Sequence, residues 1–280
     1  MKTLRTVDEL RAWSRAARAA GQRIGLVPTM GALHAGHASL IRAAVAECRA
    51  VMVSVFVNPT QFGPNEDFAR YPRSFEADCA LAEREGASLV FAPPVEEIYP
   101  PGAATFVDVE GLSTRLDGAS RPGHFRGVAT VVTKLMIAAE ADRTYFGQKD
   151  AAQVAVLRRM VADLRLATQI VVCPIVREPD GLALSSRNVY LNETERKQAL
   201  ALSRAVRRVE SLFAAGERET RILLSAGRDV FATVPTVRVD YIELVDWSTL
   251  KPVDRAAVGT LFAVAAWVGA TRLIDNAVLG

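Results

Sequence analysis

The chain has 280 residues, half of them hydrophobic, and a formal net charge of +3 with 23% of residues charged. That is apolar material for one large core or two modest ones. So small a charge, without a concentrated basic stripe, excludes nucleic-acid binding by electrostatics alone, and no segment reaches membrane-spanning length.

In chain order, RIGLVPT predicts a buried strand, MGALHAG a loop and HASLIRAAVAECRA a helix. VMVSVFVN is too continuously apolar for a half-exposed strand and predicts a central strand of a parallel sheet. SFEADCALAEREG reads as a helix with Ser74 near its start and Gly86 near its end, and ASLVFAP as a third strand. A proline- and glycine-rich excursion covers residues 93–124. It is followed by a helix from about Val128 to Ala139, the short strand TYFG, a helix from about Asp150 to Asp163 and the strand QIVVCPIVR. This alternation predicts a doubly wound, Rossmann-like α/β domain around a parallel sheet. Near residue 176 the texture changes. REPDGLALSSRNVYLNETE is a loop, a long helix over about 193–214 ends before Gly216, and VRVDYIELVD and GTLFAVAAWVGATRLIDNAVL predict antiparallel strands with a turn at Gly269. The expected division is a first domain over 1–176 and a smaller C-terminal α+β domain over 177–280.

Cys48, Cys79 and Cys173 lie far apart among apolar neighbours, without paired or metal-type spacing, which fits free, buried thiols in a reducing compartment. The opening MKTLRTVDELRAWS lacks an apolar run of signal-peptide length, so a soluble, cytoplasmic chain is the expectation. No internal repeat is evident.

The chain's three histidines are His34, His37 and His124. The first two fall where a parallel strand gives way to a helix, the place where open α/β sheets bind ligands. A helix N-terminus offers unpaired N–H groups and partial positive charge, Gly31 and Gly36 permit close approach, and two imidazoles can donate hydrogen bonds as phosphoryl charge develops. Two alternatives stand beside this phosphate reading: a metal pair, which lacks an obvious third ligand, and incidental surface histidines. FGQKD puts Gly147, Gln148, Lys149 and Asp150 at another strand-to-helix junction, where Lys149 is either a phosphate counter-charge or an ordinary solvated lysine. GLALSSRN offers Ser185, Ser186 and Arg187 as a phosphate clamp, or a plain turn. His124 lies between Arg121 and Arg126 in SRPGHFRGVAT. Gln61 and Gln153 follow strands of the same sheet. Their amides match a ligand carrying both hydroxyls and a carboxylate, or serve as polar residues at a domain seam.

The ordered set PTMGALHAGHASL, FVNPTQF, RYPR, RPGHFRGV, FGQKD and VREPDGLALSSRN, over about residues 24–192, resembles the pantothenate synthetase (pantoate–β-alanine ligase) family. HxGH alone marks only the wider nucleotidyltransferase superfamily. The C-terminal hundred residues carry no comparable motif. The resemblance implies ATP and Mg²⁺, a pantoyl adenylate formed with release of pyrophosphate, and its capture by β-alanine to give pantothenate and AMP. It further implies a homodimer, while the composition and spacing above give the expectation of no protein-held metal site and no nucleic-acid or membrane partner. By matching motif, Met30, Gly31, Ala32, Leu33, His34, Ala35, Gly36 and His37 would hold ATP, with His37, His34 and Lys149 in catalytic roles. Gly147, Gln148, Lys149, Asp150, Val176, Leu184, Ser185, Ser186 and Arg187 would complete the nucleotide site. Gln61 would face pantoate and β-alanine, and Gln153 pantoate. The alternative is an adenylyltransferase of the same superfamily acting on a phosphate-bearing acceptor, which gives Gln61 and Gln153 no role.

Overall fold

The apolar runs of the first half pair as parallel strands with helices on both faces. The computed structural model describes residues 1–64 and 66–280. In order, its elements are β1 (Lys2–Leu4), α1 (Val7–Ala19), β2 (Ile24–Thr29), α2 (Ala35–Glu47), β3 (Ala50–Val55), α3 (Phe75–Arg84), β4 (Leu89–Phe91), α4 (Val95–Ile98), α5 (Asp117–Ser120), α6 (His124–Ala139), β5 (Arg143–Gly147), α7 (Ala151–Asp163), β6 (Gln169–Cys173), α8 (Glu193–Ala214), α9 (Thr220–Ala232), β7 (Val237–Asp246), β8 (Thr260–Val268) and β9 (Thr271–Val278). The first six strands form one parallel sheet in the order β1-β4-β3-β2-β5-β6, and the last three a separate antiparallel sheet. The expected doubly wound α/β sheet with a smaller α+β part is what the chain adopts.

The centre of the large sheet is built to come apart at one end. After β2 the chain runs to β3 on one side, while β5 returns on the other. Ile24 exchanges hydrogen bonds with Asp142 on the β5 side, its N–H donating to Oδ2 at 2.7 Å and its carbonyl accepting from the Asp142 N–H at 2.9 Å. Alternation along the strand therefore turns Leu26 and Pro28 toward β5 as well. Pro28 has no N–H to give, and the β2–β5 ladder stops at Leu26–Thr144, whereas β2 stays paired with β3 through Thr29–Val55. A cleft opens between the carboxyl ends of β2 and β5.

One wall of that cleft is α6, which begins at His124, four residues before the expected start. It packs onto the turn after β3: a Cβ on Gly127 would lie 2.4 Å from the Thr60 carbonyl oxygen. The 93–124 excursion contains the one-turn helices α4 and α5. Besides these two short helices, β1 and α1 at the N-terminus and α9 lie outside the sequence reading. In α9, Leu223, Gly227 and Phe231 recur every four residues and are buried, with Gly227 against Ile242 and Phe262 of the small sheet. Leu202, Val206, Phe213, Leu223 and Phe262 centre a core under the small sheet, distinct from the clusters that flank the large one. All three cysteines are free; Cys48 and Cys173 are buried as expected, while Cys79 on the outer part of α3 is only half-buried. Among the described residues no helix is long and apolar enough to cross a membrane.

Gly127→Ala is expected to lower the unfolding free energy by about 1–3 kcal/mol, the usual cost of forcing extra volume into a packed contact. Chemical denaturation checks it, and unchanged stability would contradict the close approach of α6 to Thr60.

Candidate active site

The loop leaving β2 is held from behind. Gly31 and Ala32 both take positive φ, +81° and +50°. The Gly31 N–H donates to Thr29 Oγ1 at 3.1 Å, and the Ala32 and Leu33 N–H groups donate to the buried Asp78 carboxylate at 3.0 and 2.8 Å. Ser74 donates to the same carboxylate at 3.1 Å. The N–H groups of Gly31, Ala32 and Leu33, residues that the resemblance assigns to ATP, are thus engaged by Asp78 of α3 and by the loop itself.

The helix that follows has an unusual cap. The Gly36 N–H donates to His34 Nδ1 at 3.1 Å, and the His34 N–H donates to His37 Nδ1 at 3.3 Å, a reciprocal capping box made by two imidazoles. Because both Nδ1 atoms accept, both protons must sit on Nε2, and these N–H edges are left for the cavity that the two rings line. The rings lie 4.2 Å apart. A Cβ on Gly36 would come 2.8 Å from the His34 ring, which explains the glycine between the histidines. Burial, reinforced by the nearby Lys149 charge, lowers His34 to about 4. Burial, then His34 and Lys149, lowers His37 to about 3. At neutral pH the pair are neutral donors, and the positive charge belongs to Lys149.

The cleft encloses about 220 Å³ at the carboxyl ends of β2, β3, β5 and β6. It brings together Met30, His34, Gly36, His37, Gln61, Gly147, Lys149, Asp150, Gln153, Val176, Leu184, Ser185, Ser186 and Arg187. Gly31, Ala32, Leu33, Ala35 and Gln148 are not on its wall. The side chain of Gln148 turns instead to Asn276 of β9, donating at 3.3 Å.

Gln61 is placed by the turn after β3. Asn58 Nδ2 donates to Gln61 Oε1 at 2.9 Å and to the Gly127 carbonyl at 3.2 Å, while Asn58 Oδ1 accepts from Tyr99 Oη at 2.9 Å. With its oxygen so engaged, Gln61 turns its Nε2 toward the Met30 sulfur, 3.1 Å away, at the cavity edge. His124 supports the same turn. Arg121 can only donate, so its contact to His124 Nε2 at 3.0 Å leaves the proton on Nδ1, which donates to the Gln61 carbonyl at 2.8 Å. Burial and the Arg121 charge hold His124 at about 4. Arg121 is itself forked onto Glu66, and Arg187 onto Asp67 at 2.9 and 3.0 Å. Burial works against charge on both carboxylates, yet the hydrogen bonds from Arg121 and Arg187 bring them below their ordinary range. Arg187, expected to clamp phosphate, therefore already grips an anion. Tyr71 Oη lies 3.2 Å from Ser186 Oγ across the cleft.

Sequence reasoning assigned no role to Asn58, Tyr71, Arg121 or His124, all of which line the cavity. Asn58 and Tyr71 sit within the quoted FVNPTQF and RYPR, and the arginine–histidine spacing of RPGHFRGV was visible, but their partners were not. The remaining wall is mostly apolar and includes Val128, Val131, Val132 and Leu135 of α6 together with Phe56 and Phe146.

Fold and site together define an α/β protein with a polar cleft at the switch point of its parallel sheet, the place where such folds bind their ligands. Known proteins narrow this. The family model for pantoate–β-alanine ligases matches residues 2–278. A pantothenate synthetase of Acidobacterium capsulatum is 66% identical over 257 residues, covering 92% of this chain and 86% of that protein. The crystal structure of pantothenate synthetase from Thermus thermophilus superposes with a TM-score of 0.94 at 47% identity, covering 99% of each chain. A pantoate–β-alanine ligase from Francisella tularensis, complexed with beta-gamma ATP and β-alanine, superposes with a TM-score of 0.81 at 32% identity, covering 99% and 97%. The chain belongs to the pantoate–β-alanine ligase family.

The three depressed histidines have a consequence for stability. In the unfolded chain histidine takes up a proton near pH 6.5, whereas His34, His37 and His124 resist until about 4, 3 and 4 in the fold. Between these limits the unfolded state binds more protons, so stability is full above about pH 6.5 and falls as pH drops toward 4. Denaturant unfolding at pH 7 and pH 4.5 is expected to show that loss, with a shallower pH slope for His124→Asn. Equal stability at the two pH values would contradict buried, neutral imidazoles.

Proposed function

We propose that the cleft joins the carboxylate of pantoate to the amine of β-alanine in two steps at the expense of ATP. Family membership and the Francisella complex support the substrates. The observation that carries the residue roles is the reciprocal histidine cap, which aims two neutral Nε2–H donors into the same cleft as Lys149.

A carboxylate is a poor electrophile, so it first needs a leaving group. One pantoate oxygen attacks the α-phosphorus of ATP, the α–β bridging bond breaks, and pyrophosphate departs. The chain's part is positioning and neutralisation of charge. His37, with His34 beside it, donates to oxygens that gain charge as the phosphorane forms, and Lys149 offsets the charge of the phosphates. Gly147, Asp150, Val176, Leu184, Ser185 and Ser186 border the nucleotide. Arg187 can exchange Asp67 for phosphate oxygens, since it meets either anion with the same fork. Gln61 and Gln153 hold the acid, with the branched carbon body of pantoate against the valines of α6. In the second step the neutral amine of β-alanine attacks the acyl carbon, AMP leaves, and the amine loses a proton. Gln61 is the group closest in kind to orient that amine as well.

Asp150 is the one carboxylate on the wall among the described residues, and no group of three or more potential ligands there could cage a metal. That donor set fits Mg²⁺ carried in on the phosphates and touched by Asp150, because Mg²⁺ is commonly held by one or two carboxylates plus substrate phosphates. When bound, the ion adds positive charge against the departing pyrophosphate. An adenylyltransferase acting on a phosphate-bearing acceptor is not favoured: the chain matches the pantoate–β-alanine ligase family over residues 2–278, and such an activity gives Gln61 and Gln153 no role.

We also assign the division of the chain near residue 176 into a sheet-bearing lobe, 1–176, and a smaller lobe, 177–280, a homodimeric state and a cytoplasmic location. Three free thiols suit a reducing compartment, and the separate core under the small sheet supports the division.

With ATP, Mg²⁺ and pantoate but no β-alanine, rapid quench is expected to show one stoichiometric burst of pyrophosphate followed by a stall, since an acyl adenylate must be shielded from water. Adding β-alanine should then release AMP and pantothenate in equal amounts. His37→Ala or Lys149→Ala should slow the burst by roughly two to three decades, the usual effect of losing a preorganised donor. No pantoate-dependent burst in the unaltered chain would overturn the reading.

A further inference from the structure

The last strand carries two consecutive polar side chains where an apolar strand would suffice. Asp275 and Asn276 are 2% and 3% exposed, between Leu273 and Ala277 of the core. Removing such groups from water is unfavourable unless their hydrogen bonds are satisfied. The partners of these two lie on the two segments that border the nucleotide side of the cleft.

Asn276 Nδ2 donates both its hydrogens to consecutive carbonyls, those of Gln148 at 3.0 Å and Lys149 at 2.8 Å, while its Oδ1 accepts from Gln148 Nε2 at 3.3 Å. The turn after β5 thereby has the peptide groups on either side of Lys149 anchored to a strand 127 residues further along the chain. Asp275 takes Arg177 in a bidentate pair at 2.7 and 2.9 Å, and Arg177 also donates to the Gly181 carbonyl at 3.1 Å. Arg177 stands in a β-bridge with Ala183, and the Leu184 N–H donates to the Val176 carbonyl at 3.0 Å, so this pair fixes the base of the loop that carries Ser185 to Arg187.

We propose that Asp275 and Asn276 are positioning residues for the nucleotide site: Asn276 sets the backbone from which Lys149 reaches the phosphates, and Asp275, through Arg177, sets the loop bearing Ser185, Ser186 and Arg187. This rests on the reading of Lys149 and that loop as phosphate-facing. An alternating pair on one strand lets β9 lie as a wedge between the two phosphate segments, one side chain serving each. Neither residue touches a reactant; they act by removing freedom from groups that do.

The discriminating substitution is Asn276→Asp, which keeps shape but turns a carboxylate oxygen toward two carbonyl oxygens. Rapid-quench pyrophosphate formation with ATP, Mg²⁺ and pantoate is expected to slow roughly 10–100-fold, as for a catalytic group displaced by about 1 Å. AMP release when β-alanine is added to accumulated adenylate should change less than about threefold, because the pyrophosphate has already left. Asn276→Ser, with one donor, should fall between the natural residue and Asn276→Ala. Asp275→Asn should raise the KM for ATP with little change in that for β-alanine. Thermal melts accompany each variant, and if the Asp variant does not fold, the Ser and Ala variants decide. Equal loss in both half-reactions tracking the loss of stability would make the pair structural only and overturn the proposal, as would unchanged adenylation in folded Ser and Ala variants or failure of all three to fold. An unaltered chain without a pantoate-dependent burst would instead overturn the functional reading beneath it.

Discussion

Pro28 faces β5 from the centre of the sheet and has no N–H with which to extend the ladder between them. Pairing ends at Leu26–Thr144, although β2 continues beside β3 for three more residues. A topological switch point already leaves no crossover between β2 and β5 at their carboxyl ends, and the missing donor widens the gap there. Four segments line the cleft there: the histidine cap from the end of β2, the Lys149 turn from the end of β5, the Gln61 turn from β3, and the Ser185–Arg187 loop from beyond β6.

Within the cleft, charge and hydrogen bonding are divided among different residues. The two imidazoles are burdened by burial and by Lys149, so they remain neutral and serve as donors of fixed direction. That direction comes from the helix cap, which consumes Nδ1 on both rings. A serine or aspartate cap would satisfy the helix as well but would offer no second N–H donor of fixed direction. Arg121 and Arg187 are each matched to a carboxylate in the segment after β3. The guanidinium groups are thereby held in place, and Arg187 is left with a partner that a phosphate can replace.

The parallel strands and the positions of their junctions were legible because buried parallel strands are continuously apolar and because glycine and histidine punctuate the junctions. That alternation put His34, His37 and Lys149 at strand-to-helix junctions and Gln61 after a strand of the same sheet, while their assignment to one site came from the family resemblance. Ala32 and Leu33 fell within the stretch that the resemblance assigns to ATP, and nothing local reveals that Asp78, 46 and 45 residues away, accepts from their N–H groups. Asn276 was invisible for the same reason, since its partners lie in a different sheet's loop. The helix α9 did carry a four-residue apolar repeat, but a glycine at the centre of it blurs the pattern. β1 spans only three residues, too few to show a period.

The central claim is that the acid's carboxylate oxygen attacks the α-phosphorus of ATP in this cleft. Pantoate labelled with oxygen-18 in its carboxylate tests this directly when turned over with ATP, Mg²⁺ and β-alanine. Attack at the α-phosphorus, followed by cleavage of the acyl–oxygen bond, must leave one labelled oxygen in the phosphate of AMP, and mass spectrometry of that AMP should find it. Unlabelled AMP, or label in inorganic phosphate formed together with ADP, would contradict the account.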